Sequence, residues 1–126
     1  MAIVGVGVDA IEIERVRRAL ARTPALAERL FTPGERRYCD ACGGRRGTAR
    51  FAARFAAKEA VAKALGTGLV GVGFRDVEIV TDERGAPSVV LAAAARAVAD
   101  RRGVTTLHVS LSVTRDTAVA TAIAES

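Results

Sequence analysis

From Arg54 to Gly66 the chain reads Arg-Phe-Ala-Ala-Lys-Glu-Ala-Val-Ala-Lys-Ala-Leu-Gly, a stretch that folds readily only as an α-helix. Ala, Leu, Lys, Glu and Arg are the best helix formers and make up nearly all of it. Gly66 stands where a left-handed glycine ends a helix. Thr48, after the flexible pair Gly43-Gly44, suits an N-cap, so the helix is expected over about 48–65. Phe51, Phe55, Ala62 and Leu65 recur at roughly helical spacing and predict a buried stripe. At about 100° per residue, Glu59 and Lys63 are neighbours, as are Arg54 and Lys58. One carboxylate thus stands among three cations. An exposed helix carrying ion pairs, each worth about 0.3–0.5 kcal/mol, explains such a pattern. So does a helix that holds a metal ion and a polyphosphate.

The flanking segments predict an α+β fold. Ala2–Val8 alternates and reads as a strand closed by Asp9. Ala10–Ala21 reads as a helix with Ile11, Val16 and Leu20 as apolar points. Thr23-Pro24 opens a short helix to about Leu30. Thr32-Pro33-Gly34-Glu35 has capping-box spacing and opens another to about Asp40. A loop is expected over 42–47, and a glycine-rich loop over 66–73. Phe74–Thr81 and Ser88–Leu91 form a predicted hairpin, Ala92–Arg102 a helix closed by Gly103, and Thr106–Val113 and Thr117–Glu125 two further strands. Adjacent hairpins imply antiparallel pairing. The 126 residues suffice for one domain, 1–126, with a proper core. With no Trp, one Tyr and four Phe, that core must be built from aliphatic side chains.

Charge is uneven. Residues 1–60 hold 12 Lys and Arg against 7 Asp and Glu, whereas 61–126 hold 7 of each, so the whole excess of +5 lies in the first half. A localised basic surface points to a polyanionic or acidic partner. A nucleic-acid-binding module fits the charge, but the few aromatics are not interleaved with basic residues as stacking surfaces require. A subunit whose acid–base helix is only structural is a third reading. The N-terminal apolar stretch is too short for a signal peptide's core and lacks a basic lead. No run approaches membrane-spanning length, so a soluble cytoplasmic protein is expected. Cys39 and Cys42 form a C-x-x-C, but zinc would need two more ligands, and a redox pair belongs between a strand and a helix start. Two thiols near a helix end is the better reading. Gly5-Val6-Gly7-Val8-Asp9-Ala10 and Gly66-Thr67-Gly68-Leu69-Val70-Gly71 match glycine fingerprints for dinucleotides, but the required order of strand, glycines, helix and second strand fails in both.

Asp9 and Glu59 lie fifty residues apart, and a strand-end Asp is ordinarily an N-cap. What joins them is a resemblance. Gly5-Val6-Gly7-Val8-Asp9, followed by Glu12-Ile13 and Arg15, and then Arg54-Phe55, Lys58-Glu59-Ala60 and Lys63-Ala64-Leu65-Gly66, resembles the 4′-phosphopantetheinyl transferases of the short single-domain type. His108-Val109-Ser110-Leu111-Ser112 and the closing strand also fit, so the resemblance spans the chain. Many members carry a histidine after the late Ser-x-Ser, where this chain has Val113, to which no role is assigned.

The resemblance implies an antiparallel sheet packed against a long central helix and shorter helices. It implies transfer of phosphopantetheine from coenzyme A to a serine of an acyl carrier protein in fatty-acid or polyketide synthesis, with Mg²⁺ bound by Asp9 and Glu59. Two carboxylates plus a pyrophosphate fit the hard-oxygen chemistry of Mg²⁺. Lys63 is the expected phosphate contact beside them, with Arg54 and Lys58 on the remaining phosphates. Gly66 and Gly68 would admit the cofactor closely, and His108 and Ser110 would line the nucleotide site. The serine proton could pass to Glu59, to a neighbouring carboxylate such as Glu35, or to a water on the metal. Arg15, Arg18 and Arg22 share one helix face, with Arg17 beside them, and would steer an acidic carrier protein. The short members are typically homotrimers with active sites between subunits.

Overall fold

Small residues decide how the sheet and the central helix meet. In the computed structural model, which describes residues 1–68 and 72–126, β1 (Ile3–Glu12) crosses directly over α4 (Gly44–Ala64). A side chain at Gly7 would put its Cβ 1.9 Å from the Ala60 carbonyl oxygen, and one at Gly5 would sit 1.8 Å from that of Ala64. Two strand glycines facing two helix alanines bring the backbones together here. Between β1 and α4 come α1 (Ile13–Arg22), α2 (Leu26–Leu30) and α3 (Pro33–Asp40). After α4 follow a 3₁₀ turn (Phe74–Asp76), β2 (Val77–Thr81), β3 (Pro87–Leu91), α5 (Ala93–Arg101), β4 (Thr106–Val113) and β5 (Thr117–Glu125).

The strands form an antiparallel three-stranded sheet in the order β1-β5-β4 and a separate β2-β3 hairpin, so the α+β expectation holds. In β5, Ala118, Ala120, Ala122 and Ala124 all face inward and are buried, and α4 lies across them. The helix is buried on most sides: Ala52, Ala56, Ala57, Ala60, Val61, Ala62 and Leu65, its C-cap, are inaccessible to solvent. A helix buried on most sides, with Arg54 and Lys58 themselves inside, belongs in a core, which excludes the exposed ion-pair reading. Of the predicted stripe, Phe51, Ala62 and Leu65 are buried, while Phe55 is half-buried, stacked on Phe74 with ring centroids 5.5 Å apart. Phe31 and Phe51 anchor a second cluster under α1 and α3.

Several boundaries differ from the sequence expectation. α2 begins at Leu26 with Ala25 as its N-cap, so Thr23-Pro24 forms the turn before it and does not cap it. β1 continues past Asp9 to Glu12 because its pairing with β5 runs unbroken to Glu12 opposite Thr117. Asp9 is therefore a mid-strand residue and caps no helix; the N-cap of α1 is Glu12. α4 starts at Gly44, four residues before Thr48, with Gly43 at φ 65° as its cap. Gly47 does not break it, since a Cβ there would meet the Cys39 carbonyl oxygen at 2.9 Å and only glycine fits against α3. Phe74–Asp76 is a turn and β2 begins at Val77. The capping box of Thr32 and Glu35 is present as expected. Leu69, Val70 and Gly71, within the predicted glycine-rich loop, lie outside the described residues.

Candidate active site

Alternation along β1 points Gly5, Gly7, Asp9 and Ile11 toward α4, while Val6, Val8 and Ala10 point away. That places the Asp9 carboxylate against the helix surface where Glu59 and Lys63 emerge. The Lys63 ammonium donates to the Val8 carbonyl at 2.9 Å and lies 3.4 Å from Asp9 Oδ1. Burial, and then the negative charge of Asp9, push the Glu59 carboxyl up, with Lys63 pulling the other way. The two carboxylates thus share one electrostatic environment, joined across fifty residues of sequence.

Asp9 and Glu59 line a cleft of about 520 Å³ between β1, α1, α2 and α4. Its walls are otherwise largely apolar, including Val16, Leu20, Leu30, Phe31 and Phe55. Sequence reading took Val16 and Leu20 as core points only; their i, i+4 spacing also allows one face to line a cleft. Arg15 lies on the same cleft beside the carboxylates, not only on the outer face with Arg18 and Arg22. Arg17 and Arg18 converge on Glu14 at 2.6 and 3.2 Å, and chiefly the Arg17 hydrogen bonds hold that carboxyl down to about 2. Arg22 is exposed at the end of α1.

Other expected site residues lie elsewhere. Lys58 is fully buried and donates to Glu35 Oε1 at 2.7 Å and to the carbonyls of Phe74 and Val77, so it has no route to a phosphate. Burial pushes its ammonium down, opposed by the adjoining Glu35. Glu35 also accepts from the Thr32 and Ile79 amides, which removes it as a proton acceptor for a substrate. Arg54 is turned inward as well, its Nη2 donating to Thr81 Oγ1 and its guanidinium 4.1 Å above the Tyr38 ring. Gly66 does end the helix, at φ 81°, but the group packed against it is Arg102, whose Nη1 donates to the Leu65 carbonyl at 2.7 Å. Gly68 keeps a left-handed φ of 60°. His108 and Ser110 lie on the outer face of the sheet, in register with Ile123 and Thr121, opposite to the face that carries Asp9. His108 Nε2 sits 3.2 Å from Glu125 there. Cys39 and Cys42 are both free, and burial pushes the Cys39 thiol up to about 12, as befits an unreactive thiol.

Residues 5–122 match the 4′-phosphopantetheinyl transferase superfamily. The chain belongs to that superfamily. Within it the chain is an enzyme of the holo-(acyl-carrier-protein) synthase type. It is 52% identical over 124 residues to the holo-(acyl-carrier-protein) synthase of Desulforudis audaxviator, covering 97% of this chain and 92% of that protein. It is 45% identical over 130 residues to that of Vibrio atlanticus, covering both chains fully. Among solved structures, the synthase of Neisseria meningitidis superposes with a TM-score of 0.90 at 35% identity, over 99% of this chain and 100% of that one. A Bacillus anthracis synthase in complex with coenzyme A (3′,5′-ADP) superposes with a TM-score of 0.83 at 37% identity, over 98% and 97%. Among the described residues no helix is long and apolar enough to cross a membrane.

Proposed function

We propose that the chain is one transferase domain over 1–126, and that it moves 4′-phosphopantetheine from coenzyme A to a serine hydroxyl of an apo acyl carrier protein. The serine hydroxyl gives up its proton to Glu59 or to water, its oxygen bonds to the β-phosphorus of the pyrophosphate, the phosphoanhydride bond breaks, and adenosine 3′,5′-bisphosphate departs. The observation that carries this reading is that Asp9 and Glu59 line one cleft, with the Lys63 ammonium 3.4 Å from Asp9. Relatives whose names state this activity span nearly the whole chain and support it.

The donor set fits Mg²⁺. Asp9 and Glu59 offer hard carboxylate oxygens, and no cluster of three or more His, Cys, Asp or Glu occurs among the described residues. Two carboxylates leave the remaining positions to water and substrate phosphate, the usual arrangement for this ion. When bound, Mg²⁺ would polarise the attacked phosphorus and offset the charge of the departing bisphosphate. Asp9 and Glu59 would hold the ion and through it orient the pyrophosphate. Lys63, exposed and on a flexible stem, supplies a mobile positive charge to it. The apolar wall with Val16, Leu20 and Leu30 offers a surface for the aliphatic part of the pantetheine arm. A role in fatty-acid synthesis in the cytoplasm belongs to the same reading, and two free cysteines suit a reducing compartment.

The uncovered sheet face supports an assembly of copies, which this reading takes to be a homotrimer. Ile3, Val6 and Val8 are 64%, 63% and 55% exposed, and Ile123 beside them is 37% exposed. An apolar sheet face of this kind seeks a partner. His108 and Ser110 share that face, so they can serve a nucleotide site only on a neighbouring copy. Sedimentation analysis should give three times the chain mass; a monomer would contradict the assembly.

The basic face of α1 is the proposed carrier-protein dock. Arg18→Glu with Arg22→Glu should weaken carrier binding by about tenfold at low salt and flatten its salt dependence. Coenzyme A affinity, read by calorimetry, should stay unchanged. Equal loss of both affinities would argue against this face.

A further inference from the structure

The Lys63 ammonium lies on the same carboxylate that a divalent cation would use. It is 3.4 Å from Asp9 Oδ1 and is steadied by the Val8 carbonyl at 2.9 Å, with half of the Lys63 side chain in solvent. Glu59, one helical turn before Lys63, lines the cleft with Asp9 and feels the charge of both Asp9 and Lys63. Two carboxylates and one ammonium therefore form a cluster that keeps one net negative charge without any added ion.

We propose that Lys63 is an internal countercation that competes with the divalent cation for Asp9 and is drawn off by a substrate phosphate. This inference rests on reading Asp9 and Glu59 as the metal ligands. An ammonium and a divalent cation on one carboxylate repel each other at such separations. Cation binding therefore requires the Lys63 head group to move away from Asp9. Its long stem has the freedom to do so, and half of the side chain is open to solvent. A pyrophosphate at the cleft end gives the displaced ammonium a new anionic partner. The cation and coenzyme A then each raise the affinity for the other by the same factor, as linkage demands. In the resting protein the same ammonium limits repulsion between Asp9 and Glu59, so the site stays assembled before either ligand arrives.

Mn²⁺ serves as the probe, titrated by electron paramagnetic resonance on the full chain. Lys63→Met should bind Mn²⁺ about tenfold more tightly than the wild type when coenzyme A is absent, within the 5- to 150-fold range usual for coupled sites. Lys63→Arg, which keeps the charge, should match the wild type. Coenzyme A should tighten Mn²⁺ binding more in the wild type than in Lys63→Met. Lys63 is half exposed, so the variants should fold, and circular dichroism checks this. Unchanged or weaker Mn²⁺ binding by Lys63→Met, with wild-type binding intact, overturns this inference alone. Absence of Mn²⁺ binding by every protein, with coenzyme A present, overturns the metal reading and this inference with it.

Discussion

Glu59→Gln should lower the rate of phosphopantetheine transfer by about 1,000-fold or more. Charge stabilisation by a metal is worth several kcal/mol, and each 1.36 kcal/mol is a factor of ten. Asp9→Asn should act alike. The structure supplies a second readout that separates lost chemistry from lost folding. The Glu59 carboxyl is pushed up by burial and by Asp9, so the folded state holds its proton more tightly than the unfolded chain does. Ionising it therefore costs stability, and the cost sets in as pH rises through its folded value. The amide removes that cost. Glu59→Gln should accordingly melt above the wild type at pH 7 to 8 without metal, and the difference should fade below the ordinary carboxylate range. An inactive variant that is more stable than its parent places Glu59 in the site. A variant that loses stability at neutral pH would assign Glu59 to packing.

Lys58→Met should have the opposite signature. Lys58 and Glu35 are both buried, 0% and 1% exposed, and each satisfies several backbone groups around the other. Removing one partner of such a pair leaves a charge in the interior and typically costs about 3–5 kcal/mol. Urea unfolding followed by circular dichroism reads this directly. Adding Glu35→Gln should recover part of the loss, because the two residues act as a pair. The folded fraction of Lys58→Met should bind coenzyme A as the wild type does. Full stability with weakened coenzyme A binding would restore Lys58 to the phosphates, where the sequence motif alone had put it.

These two neighbours show what was legible in the sequence. Composition and the terminal glycine made the central helix plain, and strand alternation made β4 and β5 plain to the residue. The helix angle between Glu59 and Lys58 is also a matter of sequence. Which of the two faces a cleft depends on what packs around the helix. Glu35 on α3 and the carbonyls at Phe74 and Val77 claim Lys58, and none of them is near it in the chain. Arg54 was misplaced for the same reason, since Tyr38 and Thr81 hold it. Local propensity also failed at the end of β1. Ala10-Ile11-Glu12 suits a helix, but pairing with β5 extends the strand and turns Asp9 from a cap into a residue facing α4. The pairing of Asp9 with Glu59 came from family resemblance, and the structure adds the reason they meet: Gly5 and Gly7 let β1 lie directly on the helix. The motif assigns His108 and Ser110 to the site, and the register of β4 puts them on the sheet's other face, where only a neighbouring copy's site could use them.

The central claim is a transfer reaction, and intact-protein mass spectrometry tests it most directly. A small panel of apo acyl carrier proteins, incubated with the protein, coenzyme A and Mg²⁺, should gain the mass of one phosphopantetheine on the acceptor serine. Chelation of the metal should prevent the gain. Unmodified carrier across the panel, with folded protein and Mg²⁺ present, would contradict the account.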